Sequence, residues 1–180
     1  MNKYIDIKVK ARKNTKESSI VSEVVSEIHK YLSRNDINTI GLSYPNMYPA
    51  LGNVIRIHGT EEELEKMYDE ALWEGFSVSA TRIKRIPENV EYVKISRVRN
   101  KMNNAKLNRL IRRNSISTED IKKYRVKMVS SGLDNVYLQL CSETNNNHYK
   151  RFMAVSNMTE EVTGVFDMFG MSSVATVPWF

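Results

Sequence analysis

The sequence predicts an α+β fold with two domains, and two observations lead to this prediction. In the first half, segments with alternating and with helically spaced apolar residues follow in the order strand, helix, strand, strand, helix, strand. This order is typical of the ferredoxin-like fold, which RNA-binding modules also use. In the second half, a basic helix is followed by several short strand-like runs. We therefore expect a ferredoxin-like βαββαβ domain over residues 1–87 and a smaller α+β domain with an arginine-rich helix over residues 88–180.

The elements of the first domain follow from periodicity and from helix-capping signals. Ile5, Ile7 and Val9 alternate with polar residues, as in a half-buried strand. Thr60 and Glu63 have the spacing of a capping box, which marks the start of a helix. Strands are predicted over residues 4–9, 39–44, 54–57 and from residue 76, and helices over residues 20–34 and from residue 61.

The second domain begins after Pro87 with a strand predicted over residues 92–98, which continues into the basic helix. Ser117 is a suitable N-cap for a short helix over residues 118–124. Turn-rich stretches separate the strand-like runs that follow, which cover residues 136–140, 149–155, 163–169 and 174–177.

The basic helix has one cationic side. At 100° per residue, Lys106, Arg109 and Arg113 fall on one side, Arg112 lies at its edge, and the opposite side is apolar. No acidic residue is interleaved four positions away between Lys106 and Arg113, so pairing within the helix does not explain this side. One side of the helix can pack, and the other can bind phosphates.

Arg97 and Arg99 lie two positions apart in the strand before this helix, so both are expected on one face of it. Residues 82–127 carry 15 basic and 4 acidic residues, a net charge of +11, whereas the rest of the chain carries −5. Such a concentration of positive charge indicates a polyanionic partner, and nucleic acid fits best.

The composition argues against several other classes of protein. Cys141 is the only cysteine, which excludes an internal disulfide and a cysteine-rich zinc site and is typical of the reducing cytoplasm. The three histidines are far apart and lack metal-ligand spacing, so neither a metal nor a cofactor is predicted. No signal peptide and no window of transmembrane length is found, so we expect a cytoplasmic protein that does not associate with membranes.

His29 is the histidine whose position best suits catalysis. It lies four residues after Val25 and next to Ile28, at the margin of the apolar side of the first helix. A histidine there is partly buried and still reaches a cleft, although a surface or edge-packed histidine is the alternative. His58 is expected in a turn, and His148 in a loop.

A polar loop follows the strand that ends at Cys141. Ser142 and Thr144 lie at this strand end, and Tyr149 and Phe152 offer aromatic surfaces nearby for stacking on bases. Ordinary strand-end polarity and burial of the aromatic rings in the core are the alternatives.

Over essentially its whole length the sequence is similar to the type I-F CRISPR repeat-processing endoribonucleases, the Csy-four or Cas-six-f family. The order and spacing of many short matches carry this resemblance. The matches are Tyr4–Ile7, His29, Ile40–Pro45, Arg56–His58, Ser96–Val98, Arg112–Arg113, the hairpin from Ser142 to Phe152, Gly170 and Val177–Phe180.

The resemblance implies a metal-independent ribonuclease for antiviral defence that binds the hairpin of each CRISPR repeat and cuts at its 3′ base. The 2′-OH attacks the neighbouring phosphate in line and leaves a cyclic phosphate and a 5′-OH. His29 matches the general base for this step, and Ser142 matches the serine that holds the ribose. Thr144 and Tyr149 match contacts to the nucleotide at the cleavage site, where Tyr149 stacks on the base.

The resemblance also assigns roles to the basic residues. The basic helix matches the arginine-rich helix that lies in the major groove of the hairpin, so Arg109, Arg112 and Arg113 are expected to bind phosphates. Lys106 is a further phosphate candidate, and Arg97 matches the residue that reads a guanine edge. The implied partners are the repeat hairpin, which is retained as crRNA, and the other subunits of a type I-F surveillance complex, with a monomer as the free state.

Two positions depart from the family pattern. Phe169 stands where the family has a tyrosine that orients the catalytic histidine, so His29 must be oriented by packing or another group, or activity is reduced. Arg99 stands where the family has a glutamine that reads an adenine, which predicts a base pair containing guanine. Because of Phe169, a catalytically weak hairpin-RNA-binding subunit is the alternative function. A double-stranded DNA-binding regulator, favoured only by the basic helix, is a third.

Overall fold

A computed structural model describes residues 1–48, 50–99, 104–133, 135–142 and 146–180, apart from the side chains of residues 129–133. The described chain forms two compact units, one of residues 1–97 with 136–180 and the other of residues 98–135. The predicted domains, residues 1–87 and 88–180, divide the chain differently and stay a prediction.

The first half of the larger unit contains a five-stranded sheet. Its strands are β1 (Lys3–Val9), β2 (Gly41–Ser43), β3 (Val54–Gly59), β4 (Val78–Ala80) and β5 (Lys84–Arg85). Their order is β2-β3-β1-β4, with β5 also paired to β1, and every one of these pairings is antiparallel. Ile5, Ile7 and Val9 are buried, as their alternation predicts.

Two helices complete this half, α1 (Glu17–Arg34) and α2 (Glu61–Asp69). In α2, the Thr60 hydroxyl accepts the Glu63 N–H at 3.3 Å and the Glu63 carboxylate accepts the Thr60 N–H at 2.9 Å, which confirms the capping box. From β1 to β4 the element order agrees with the predicted one, whereas β5 was not predicted. The assignment to the ferredoxin-like fold stays a prediction.

The second sheet of this unit has the order β7-β8-β6-β9. It consists of β6 (Glu91–Val98), β7 (Tyr137–Cys141), β8 (His148–Met158) and β9 (Val177–Trp179). Helix α1 packs against both β1 and β7, and the Gln139 N–H donates to the Ser22 hydroxyl at 3.0 Å. This packing places the late half of α1 beside the β7–β8 hairpin.

The prediction of a strand over residues 163–169 is wrong. The main chain of this segment makes separate hydrogen bonds rather than a strand ladder: Phe166 N donates to Asn38 O at 2.9 Å, and Asp167 N donates to Met171 O at 2.7 Å. Asp167 then forms a tight turn through its own side chain, which ends any extended run. Of the run predicted over residues 174–177, only Val177 belongs to a strand.

The smaller unit contains α3 (Asn104–Arg112) and α4 (Thr118–Leu133). The Ser117 hydroxyl accepts the Asp120 N–H at 3.1 Å, so the predicted cap is confirmed. Helix α4 is longer than predicted because neither proline nor glycine interrupts it before Gly132. The described residues contain two sheets and four helices, which confirms the α+β class, and none of these helices is long and apolar enough to cross a bilayer.

Candidate functional site

A cleft of about 460 Å³ lies in the larger unit, beside the late half of α1. Four of the residues singled out from the sequence line it: His29 from α1, Ser142 and Tyr149 from the β7–β8 hairpin, and Phe169 from the turn before β9. The fold therefore brings together in one cavity His29 as the expected base, Ser142 as the residue expected to hold the ribose, and Phe169 at the position expected to orient His29.

A main-chain carbonyl holds the ring of His29. The Nδ1 atom lies 2.9 Å from the oxygen of Met168. Because a carbonyl oxygen only accepts hydrogen bonds, Nδ1 carries the proton, and in the neutral ring Nε2 keeps its lone pair. The half-buried imidazole is thus prepared to accept a proton at Nε2.

Phe169 fixes the plane of the same ring. The two ring centroids are 3.8 Å apart, and the planes differ by only 13°. Aromatic pairs of this kind contribute about 0.5–1.5 kcal/mol beyond their burial. Phe169 has no hydroxyl that could orient His29, and the orientation thus comes from packing on the Phe169 ring and from the Met168 carbonyl.

A tight turn presents both groups to His29. The Asp167 carboxylate accepts the N–H groups of Phe169 at 2.9 Å and Met171 at 3.1 Å, and its carbonyl accepts the Gly170 N–H at 2.8 Å. Gly170 has φ +66°, and a Cβ there would lie 2.5 Å from Cγ of Leu42. The turn therefore requires glycine for its backbone and for its close approach to β2.

Ser142 begins the loop between β7 and β8. Its N–H donates to Asn147 O at 3.0 Å, and its carbonyl accepts the Asn146 N–H at 2.8 Å, so its backbone is fixed. Among the described residues its hydroxyl has no hydrogen-bond partner, and Ser142 lines the cleft together with Tyr149, which is 38% exposed. Thr144, the remaining expected contact in this loop, lies outside the described residues.

Two cations also line the cleft, and each is paired. Lys30 Nζ lies 2.9 Å from a Glu27 carboxylate oxygen, and an Arg34 guanidinium nitrogen lies 2.9 Å from Glu70. Both pairs are substantially exposed, so their net stabilisation is small.

Arg97 continues the core-facing side of β6 beyond the core. Val93 and Ile95 on this side are buried, whereas Arg97, at the next position of the same parity, is exposed. Arg99 directly follows β6 and is exposed too. Among the described carboxylates, none forms an ion pair with either arginine.

In the smaller unit, α3 and the residue that follows it keep their arginines at the surface. Arg109, Arg112 and Arg113 are exposed, Lys106 is half-buried and has an interaction partner, and Leu107 on the other side is fully buried. None of the three arginines forms an ion pair with a described carboxylate. These cations belong to a different compact unit from the cleft.

His58 is not the turn residue expected from the sequence. It lies in β3, is fully buried, and its Nε2 is 2.8 Å from the hydroxyl of Ser43. Burial, with a smaller contribution from Arg56, lowers the pKa of His58 from 6.5 to about 3. The ring is a neutral part of the core and does not reach the cleft.

Sequence reasoning missed the groups that hold His29. The Met168 carbonyl carries no sequence signal because every residue has one, and Asp167 was assigned to a strand. In the described part of the chain, no three histidine, cysteine or carboxylate side chains are close enough to bind a metal ion together.

The sequence is similar to a known protein family and to two named proteins. A family model described as CRISPR-associated protein (Cas_Csy4) matches residues 4–180. A protein named CRISPR-associated endonuclease Cas6/Csy4 from Pseudomonas aeruginosa (strain UCBPP-PA14) is 28% identical, and one of the same name from Escherichia coli (strain UTI89 / UPEC) is 23% identical. Both alignments cover 100% of each chain.

Among solved structures, the crystal structure of CRISPR RNA processing endoribonuclease Cas6b aligns with 98% of this chain and 100% of that chain. Its sequence identity is 8% and its TM-score 0.32, a likeness too low to carry an argument.

Proposed function

The chain belongs to the Csy4 family of type I-F repeat-processing endoribonucleases, and we propose that it cuts CRISPR repeat transcripts to release mature crRNA. The observation that carries this proposal is the cleft that His29, with its Nδ1–H bound to Met168 O, lines together with Ser142. Family membership supplies the substrate class, and the cleft supplies groups suited to the chemistry.

In the proposed reaction the RNA supplies its own nucleophile. His29 Nε2 removes the proton from the 2′-OH that precedes the scissile phosphate, and the oxygen attacks phosphorus in line. The bond from phosphorus to the 5′ oxygen breaks, and that oxygen takes up a proton from the solvent, which leaves a 2′,3′-cyclic phosphate and a 5′-OH; no metal ion takes part. A well-placed general base contributes roughly 10²–10⁴ in rate.

Ser142 and its neighbours position the reacting nucleotide in this proposal. The Ser142 hydroxyl accepts or donates a hydrogen bond at the ribose, and the fixed backbone of the serine keeps that contact in place. Tyr149, exposed at the cleft, stacks on the base, and Thr144 contacts the same nucleotide.

The basic residues bind and align the hairpin. Arg109, Arg112 and Arg113, exposed and unpaired among the described residues, bind phosphates, with Lys106 as a further ligand. Arg97 reads a guanine edge. Together with Arg99 these contacts set the register that brings one phosphate to His29.

The proposal extends to fold and assembly. The antiparallel order β2-β3-β1-β4 supports a ferredoxin-like assignment for residues 1–87. We further propose that the protein is a monomer when free, keeps its crRNA product, and joins the other subunits of a type I-F surveillance complex in the cytoplasm of a prokaryotic cell.

Cleavage of a cognate repeat RNA in EDTA tests the function. We expect a single cut at the 3′ base of the hairpin, with a cyclic phosphate and a 5′-OH as the new ends. RNA with a 2′-deoxy nucleotide before the scissile bond should bind equally well and remain intact. Tight binding of the unmodified RNA without any product would instead identify a binding subunit, and cleavage of the deoxy substrate would contradict the 2′-OH mechanism.

A further inference from the structure

Arg151 of β8 is a buried cation beside the cleft, and nothing in the chemistry above uses it. It is 7% exposed, and its Cζ lies 3.9 Å from the centroid of the Phe169 ring. The imidazole of His29 covers the same ring at 3.8 Å. Two planar groups this close to one centroid would overlap on one face, so the guanidinium and the imidazole lie on opposite faces of Phe169.

The same guanidinium forms an ion pair with Asp167, through Nη2 and Oδ2. The other carboxylate oxygen of Asp167 accepts the N–H groups of Phe169 and Met171. Arg151 therefore acts on the turn twice, through the Phe169 ring and through the carboxylate that shapes the backbone. The end of this series of contacts is the bond from Met168 O to His29 Nδ1.

Stability alone is a poor reason for such a pair. The Arg151 side chain is 8% exposed and that of Asp167 is 41% exposed, so burial of the guanidinium costs several kcal/mol while solvent weakens its attraction to the carboxylate. Arg151 also leaves its buried Nε without a partner among the described residues. Burial lowers the pKa of Arg151 while Asp167 opposes this, and an arginine remains charged throughout the working range.

We propose that Arg151 and Asp167 are positioning residues for His29: they hold the turn and the Phe169 ring so that Met168 O fixes the Nδ1–H tautomer and the ring plane. Neither residue touches the RNA in this role. The effect on cleavage rests on the proposed function, whereas the effect on the tautomer does not.

The test has one readout that needs no RNA. Nitrogen NMR of the His29 side chain, at a pH where titration finds it neutral, should show Nδ1 protonated in the wild type. In Arg151→Met, which keeps much of the side-chain length, both tautomers should appear, and cleavage at saturating hairpin should fall at least tenfold with unchanged hairpin affinity. Asp167→Asn should act in the same direction, and Arg151→Lys should partly restore both signals.

Arg56→Met is the matched control, because Arg56 is also a largely buried arginine in an ion pair, with Asp6, and also lies over two aromatic rings. It should lose stability but keep the His29 tautomer and the cleavage rate. If Arg151→Met does not fold, Asp167→Asn and Arg151→Lys decide the question. An unchanged tautomer in the folded variants, or equal losses of rate in Arg56→Met, would overturn the proposal. If Arg151→Met shifts the tautomer but the wild-type protein cuts no repeat RNA, the positioning proposal stands and only the proposed function is refuted.

Discussion

The imidazole of His29 lies parallel to the ring of Phe169, with 3.8 Å between the centroids. A phenylalanine fixes the plane of its neighbour but cannot select a tautomer, because it has no hydrogen-bonding atom. The carbonyl of Met168, one residue earlier in the same turn, makes that selection at Nδ1. Two neighbouring groups of the turn thus share the work expected of a hydroxyl-bearing side chain.

His29→Ala should abolish detectable cleavage while hairpin binding survives. Removing the base costs roughly 10²–10⁴ in rate, and the phosphate ligands are elsewhere in the chain. Single-turnover cleavage and a binding assay on the same RNA measure the two effects separately. His148→Ala is the control, since His148 is exposed and does not line the same cleft. Equal cleavage by the two variants would contradict the assignment of His29.

Phe169→Leu should slow cleavage, whereas Phe169→Tyr should change it by less than about threefold. Leucine loses an aromatic contact worth about 0.5–1.5 kcal/mol, which predicts a decrease of roughly 2- to 13-fold. Tyrosine keeps the stacking, and the tautomer is already fixed by Met168 O. A large gain with tyrosine would show instead that the phenylalanine limits activity.

The position of His29 was accessible from sequence because helical periodicity decides which residues border the apolar side of α1. The capping box of Thr60 and the cationic side of α3 were accessible for the same local reason. The contact of Arg151 with Asp167 was not, because it joins β8 to a turn that looked like a strand, and only tertiary packing brings them together.

The prediction that His58 lies in a turn was wrong. Its neighbours in sequence suggested a turn, but β2 and the surrounding core cover it completely. Burial of a polar ring depends on elements distant in sequence, such as Ser43, which no local pattern reports. The same is true of the Ser142 hydroxyl, whose place in the cleft follows from the packing of α1 on β7.

Stability should fall between pH 7.5 and 5.5 because of His58. Its folded pKa of about 3 lies below the unfolded value of 6.5, so the unfolded chain takes up a proton that the folded chain refuses. Unfolding is therefore favoured as the pH drops below 6.5, by about 1.4 kcal/mol at pH 5.5. Urea titrations at both values measure this, and His58→Gln should remove that part of the dependence. The same slope in both proteins would refute it.

Alanine substitutions of Arg109, Arg112 and Arg113 should weaken hairpin binding for every stem sequence. Log affinity falls linearly with log salt concentration, and each lost phosphate contact makes this negative slope less steep by about 1. Binding measured from low to physiological salt gives this slope for each variant. Lys66→Ala is the charge-matched control, because Lys66 is exposed on α2 and paired with Glu62. Equal slopes in the control and the arginine variants would show that these arginines do not bind phosphates of the hairpin.

Arg99 should confer a preference for guanine at the second base pair from the cleavage site. A bidentate arginine–guanine contact discriminates by about 1–3 kcal/mol, which is roughly 5- to 150-fold in affinity. Stems that differ only at this pair, with guanine or adenine, measure the preference by competition. Because glutamine pairs with an adenine edge, Arg99→Gln should lower or reverse it.

Arg112→Gln separates base reading from phosphate binding in the same assay. It should weaken both stems by the same factor, since a phosphate contact carries no sequence information. If Arg99→Gln also weakens both stems equally, Arg99 is a further phosphate ligand. Arg97 is then the remaining candidate for reading a base edge.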